Sequence, residues 1–143
     1  MKIIGIAADH AGFDYKEEIA KRLINQGSSI VDFGAYSSEN MDYPDVAHPL
    51  ANGVERGEVA MGIALCGSGN GINMTLNKHQ GVRSALCWTP EIAALARQHN
   101  DANICAIPAR FLTLETVFAI IDVFLHTSFE GGRHQRRVDK IPC

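Results

Sequence analysis

Val59-Ala60-Met61-Gly62-Ile63-Ala64-Leu65, followed at once by Cys66-Gly67-Ser68-Gly69-Asn70-Gly71, is the stretch on which the fold turns. A run this apolar predicts a strand covered on both faces, because a half-exposed strand would alternate polar and apolar residues. The glycine-rich loop ends the strand, and a helix follows from about Gly71 to Lys78. Outward from this unit the same alternation repeats. Lys2 to Ala8, Ser29 to Phe33, Val82 to Cys87 and Ile104 to Ile107 read as strands. Between them, Phe13 to Asn25 carries Phe13, Ile19, Leu23 and Ile24 among charges, and Gly27 can end that helix. Tyr43-Pro44-Asp45 opens a segment whose Val46, Leu50 and Val54 recur every four residues, with Pro44 near the first turn. Thr89-Pro90-Glu91 starts a helix running to about His99, and Thr113 to His126 is a long amphipathic one.

Strand and helix in strict alternation imply right-handed crossovers and a parallel sheet between helical layers. The expectation is an α/β chain, a single three-layer αβα Rossmann-like domain spanning 1–143 with a five-stranded parallel sheet. Such sheets bind ligands outside the carboxyl ends of their strands. Asp9-His10, Cys66 to Gly71 and Cys87-Trp88 all fall at those ends, so the polar candidates converge on one edge.

The chain has 143 residues, 46% of them apolar and 20% charged, with a formal charge of −3. That balance speaks against a global attraction to nucleic acid or to an anionic membrane. No apolar stretch approaches the ~20 residues of a spanning helix. The amino terminus lacks the long apolar region of a signal peptide, which makes the cytosol the expected compartment. Cys66, Cys87, Cys105 and Cys143 are then expected as free thiols, and no CxxC pair suggests zinc or a redox couple.

Glycines let the backbone turn tightly and bring its N–H groups close to a ligand, and a helix start adds unpaired donors. A cysteine at the head of such a loop has its thiolate favoured. The competing reading is a tight turn around an inert cysteine. The loop is neither a Walker A sequence nor the GxGxxG dinucleotide fingerprint. Cys87 and Cys105, in apolar strands without flanking glycines, read as small hydrophobes. Asp9-His10 fits either a helix cap or a binding pair. His99, at the end of a helix, either complements the dipole or carries protons. The tail from Glu130 is polar and basic; if it is helical, Arg133 and Arg137 share a face and suit a dianionic phosphate, while Arg136 points elsewhere. A solvated tail is the alternative, and a nucleic-acid arm a further one that the acidic overall charge and the lack of interleaved aromatics weigh against. His48, His79 and His126 have no convergent partner in the sequence, and Met61, Met74 and Trp88 read as packing residues.

Asp9-His10-Ala11-Gly12, Asp42-Tyr43-Pro44, Cys66 to Gly71, Asn77-Lys78, His99-Asn100-Asp101-Ala102-Asn103, and Gly131-Gly132-Arg133-His134 with Arg137 occur in order along nearly the whole chain. Together they resemble the type B ribose-5-phosphate isomerase family, which includes galactose- and allose-phosphate isomerases. The resemblance implies aldose–ketose isomerisation of ribose 5-phosphate to ribulose 5-phosphate without cofactor or metal. It implies Cys66 as the proton-transferring base, Ser68 and the Gly67, Gly69, Asn70 and Gly71 backbone beside the reacting oxygens, and His99 as the ring-opening group. Asp9 would hold sugar hydroxyls, with Tyr43 and Asn100 lining the pocket. His10, Arg133 and Arg137 would hold the phosphate, and Arg110 would support the site. A homodimer with shared sites, sometimes paired into a tetramer, is implied, residues 130–143 reaching the partner.

Three positions depart from the family pattern. Ser68 stands where many relatives carry threonine. Ile72 occupies the place of a second, glutamate base in some relatives. Pro108 replaces a common glycine ahead of Arg110, so a reshaped loop is expected there. Allose 6-phosphate or galactose 6-phosphate as substrate, a non-catalytic sugar-phosphate sensor and a thiol-redox protein are the competing functions. The last lacks a resolving cysteine in sequence.

Overall fold

The computed structural model describes residues 2–143; Met1, part of the amino-terminal reading, lies outside them. Five strands, β1 (Ile3–Ala8), β2 (Ser29–Asp32), β3 (Met61–Cys66), β4 (Ser84–Leu86) and β5 (Ile104–Pro108), form one sheet in the order β2-β1-β3-β5-β4. Every pairing is parallel. The strand read from Val59 to Leu65 forms as Met61–Cys66, is central, and is buried at each of those positions, as its unbroken apolar character requires.

Helices α2 (Pro44–Glu55) and α3 (Asn70–Leu76) cover one face. There Val46, Leu50, Ile72 and Leu76 pack on Ala7, Ala64 and Ala106 of the sheet. On the other face α1 (Phe13–Asn25), α4 (Pro90–Asn100) and α5 (Leu114–His126) bury Ile19, Leu23, Ala93, Val117, Ile120 and Phe124 against Ile6, Ile63 and Cys105. The expected three layers are therefore present. Cys87 and Cys105 are fully buried among these apolar side chains, as read, and all four cysteines are free. Among the described residues no helix is long and apolar enough to cross a membrane.

Two elements differ from the sequence reading. The fourth strand is shorter than Val82–Cys87, because side chains take over its pairing. Asn77 closes two hydrogen bonds on the backbone of Ser84, at 2.8 and 2.9 Å, and the Asn103 side chain accepts from Arg83 N. The basic tail is not merely solvated. Arg133–Val138 forms a helix, α6, which buries His134 and Val138 and packs beside α4.

Candidate active site

Each strand of a parallel sheet delivers its last residue to the same edge, and here that edge gathers the nucleophilic half of the candidate site. β1 ends beside Asp9, whose N–H donates to Leu65 O, and β3 ends in Cys66. The Asp9 carboxylate accepts from the N–H groups of Ala11 (2.9 Å) and Gly12 (3.3 Å), which holds the turn ahead of α1; the helix itself, N-capped by Gly12, has no side-chain cap. His10 is oriented by the Met41 N–H, which donates to its Nδ1 at 3.2 Å. A neutral ring so held carries its proton on Nε2 and offers it as a donor.

The loop after Cys66 is shaped by its glycines. Gly69 has φ +76°, and a Cβ there would fall 2.4 Å from Leu86 and 3.2 Å from the Ile107 and Pro108 backbone. Only glycine meets both conditions at once. At Gly71 a Cβ would lie 2.4 Å from the Tyr43 ring, so Tyr43 rests directly on the loop. Ser68 Oγ accepts from the Asn70 N–H at 3.3 Å. Arg110 is brought in as well. Ala109 N donates to Cys66 O and Arg110 N to Gly67 O, both at 3.0 Å, and the guanidinium would touch a Cβ placed on Gly67 at 3.3 Å. Pro108 does not divert this loop: it pairs with Cys66 in the register of the sheet and accepts the turn-closing N–H of Phe111. Trp88, 42% exposed, leans on Phe111 at 5.5 Å beside it, rather than packing in the core.

Cys66 is only 5% exposed. Burial pushes its thiol above the ordinary value, and the nearby Asp9 charge adds to that; the N–H groups of Ile72, Gly69 and Gly71 pull the other way. In the free chain burial wins, which reverses the thiolate preference read from the loop. The amide donors are present, but water has been taken from the sulfur and a carboxylate set near it.

The remaining candidates lie elsewhere. Asn103 N donates to Arg83 O before β4, and its carbonyl accepts from Gly62 N near the start of β3. This places the end of α4, with His99 and Asn100, at the amino edge of the sheet. A six-residue strand separates the edges by about 17 Å. There His99 stacks on His134 with centroids 4.2 Å apart and planes 11° from parallel, and its Nε2 lies 3.6 Å from Glu130 Oε1. Arg133 and Arg137 project from the same α6, exposed. Burial, with His99 and Arg133 next in effect, holds the His134 imidazole below its usual value and so favours its neutral form. His99, His134 and Glu130 are close enough together to suggest a cation site. Face-to-face rings, however, cannot both aim an in-plane lone pair at one ion, and the neighbouring arginines repel it.

A second histidine cluster went unseen in the sequence. His48 Nδ1 and His79 Nε2 are 2.7 Å apart, and His79 Nδ1 is 3.0 Å from Glu55 Oε1. The Glu55 carboxyl is lowered by the Gly81 N–H it accepts and by His79. His126 likewise has a partner, Asp122 O at 2.8 Å. Only the fold reveals these contacts, since 31 residues separate the two ring partners.

The family model described as Ribose/Galactose Isomerase matches residues 4–141. The chain belongs to that family. Ribose-5-phosphate isomerase B of Escherichia coli (strain K12) is 45% identical over 141 residues, covering 99% of this chain and 95% of the relative. The crystal structure of a ribose 5-phosphate isomerase from Thermotoga maritima superimposes with a TM-score of 0.97 at 45% identity, covering 99% and 97% of the two chains. That of ribose-5-phosphate isomerase B from Mycoplasma genitalium, with bound ribulose-5-phosphate, gives 0.92 at 44% identity, covering 97% and 93%. Membership in the Ribose/Galactose Isomerase family also accounts for the five-stranded parallel architecture that these solved structures share with this chain.

Proposed function

We propose that the protein interconverts ribose 5-phosphate and ribulose 5-phosphate, in the cytosol, as a homodimer whose sites are each built from two chains. The observation that carries this reading is the separation of the two groups. Proton transfer needs donor and acceptor within about 3 Å, whereas the Cys66 edge and the His99 edge stand a sheet's width apart in one chain. A second copy, presenting its His99, Asn100, Arg133 and Arg137 to the carboxyl edge of the first, completes the site. The polar 130–143 segment, folded as α6, is the part that reaches across.

In the assembled site the phosphate is held by His10 and by the two guanidinium forks, and Asp9 accepts from sugar hydroxyls. Tyr43 and Asn100 line the pocket, and Arg110 steadies the loop over Gly67. His99 opens the furanose by passing a proton from the C1 hydroxyl to the ring oxygen as the C1–O bond breaks. Cys66 then removes the proton from C2 of the open aldehyde. Electrons move onto the carbonyl oxygen, giving an enediolate; the C2 hydroxyl proton passes to O1, and the Cys66 thiol, its proton open to exchange with water, protonates C1 to leave the ketose. Backbone amides between Gly67 and Gly71, with the Ser68 hydroxyl, stabilise the developing oxyanion, a contribution of about 3 kcal/mol per well-placed donor. The cationic groups of the second copy favour the Cys66 thiolate that burial disfavours in the free chain.

The test is turnover in D2O. Proton transfer through a thiol predicts deuterium at C1 of the ribulose 5-phosphate formed, and slowed turnover of ribose 5-phosphate carrying deuterium at C2. A product without solvent deuterium would sink the thiol-base assignment, and no ketose at all would sink the isomerase reading.

A further inference from the structure

His99 is the last histidine of a helix and is partly exposed, a position from which an imidazole rotates freely unless something holds it. Three features hold it here. Arg97, two residues earlier and buried, donates to Thr127 O, Ala102 O and the Asp101 carboxylate, fixing the end of α4 between α5 and β5. His134 supports the ring face to face. Glu130 brings a carboxylate to its Nε2 edge. The placement of Glu130 is built rather than incidental. Its own N–H donates to Gln98 O at 3.0 Å, tying this segment to the last turn of α4. The next two residues, Gly131 (φ +67°) and Gly132 (φ +56°), turn the chain at once into α6, and a Cβ on either would meet nothing within 4 Å. Backbone conformation, not crowding, therefore calls for glycine at both. That turn returns His134 over His99, its N–H donating to Gly131 O.

The charged surroundings of His99 are thus Glu130 from the connecting segment, and His134, Arg133 and Arg137 from α6. Asp101 is engaged by Arg97 and Arg83. Glu130 is the one carboxylate paired with this imidazole among the described residues.

We propose that Glu130 is a positioning residue for ring opening, its carboxylate holding the His99 imidazole in one orientation on the His134 ring. The inference rests on the isomerase reading above, and it concerns one step of that reaction alone. Ribose 5-phosphate is chiefly a furanose and must be opened. Ribulose 5-phosphate, with its C5 oxygen esterified, cannot close a furanose and enters the site open. A residue that serves only ring opening therefore affects the two directions differently at saturation. The overall equilibrium constant is fixed, so kcat/KM must change equally in both directions. The forward defect appears as kcat and KM for ribose 5-phosphate falling together, the closed sugar occupying the site unproductively.

The experiment measures both directions on the intact assembly for wild type, Glu130→Gln and Glu130→Asp, at enzyme concentrations low enough to keep free sugar at its ring–chain equilibrium. The expected result for Glu130→Gln is a fall of about tenfold or more in kcat and KM with ribose 5-phosphate. Its kcat with ribulose 5-phosphate stays within about threefold, and Glu130→Asp recovers most of the forward rate. An equal fall of kcat in both directions, or none in either, overturns the proposal. Wild type inactive in both directions would instead overturn the isomerase reading itself. Glu130 is exposed, so neither variant removes packing from the core.

Discussion

The two edges of the sheet differ in how they are held together. At the carboxyl edge, Cys66 and its loop are fixed by backbone geometry: a left-handed Gly69, register with Pro108, and N–H groups aimed at a sulfur. At the amino edge, His99 is fixed by side chains, a stacked imidazole and a carboxylate on a segment bridged to α4. One edge sets a thiol among backbone donors, the other an imidazole among charged side chains. Neither edge holds both kinds of group among the described residues, which is why the proposed reaction draws them from two molecules.

The sharpest way to break this contrast is to delete the thiol. Cys66→Ala should lower turnover by about a thousandfold or more, with circular dichroism and Tm close to wild type, because a general base contributes that much and a small side chain is lost. Loss of folding instead would make Cys66 a packing residue. Next in size, Cys66→Ala chains mixed and refolded with His99→Asn chains should regain about one quarter of wild-type activity, since half the two-fold dimers then carry one intact site in two. No recovery above the single variants would show that one chain suffices. Gly71→Ala disturbs only the carboxyl edge. It drives the Tyr43 ring off the loop and should cost about tenfold in kcat/KM, while Tm holds because alanine suits a helix better than glycine. The smallest effect tests the electrostatics. In a Cys143→Ala background, alkylation of free Cys66 by iodoacetamide should rise with pH to a midpoint above that of an ordinary thiol. The thiolate is the reactive form, and burial raises the pH at which it appears. A midpoint at or below the ordinary value would mean that the amides, with the cations of a second copy, outweigh burial.

The sequence carried the middle of the sheet because β1, β3 and β5 are runs of unbroken apolarity, and β3 and β5 are buried at every position. It carried α1 almost to the residue, but not the helix's inner lining. Lys16 reads as one of several surface charges, yet its side chain is fully buried, 2.6 Å from Asp32 on a neighbouring strand. A pairing between residues 16 apart leaves no local trace. The same holds for His48, His79 and Glu55. Around Cys66 the residue types and order were enough to mark a candidate site, but they did not give the sign of the thiol's shift. That sign depends on how much water the loop excludes, and only packing determines it. Glu130 stood unmarked at the head of a polar tail. The Gly131-Gly132 pair behind it was the available signal, since adjacent glycines mark a turn that sets its neighbours in place.

Trp88 is the chain's single tryptophan, resting on Phe111 one residue beyond Arg110. Its indole is half open to water on the edge that the proposed function assigns to a second copy and a phosphorylated sugar. The protein therefore carries its own optical reporter. Emission from one ring, free of competing signals, should follow covering of that edge, so that assembly and occupancy become readable in an unlabelled, unmodified sample.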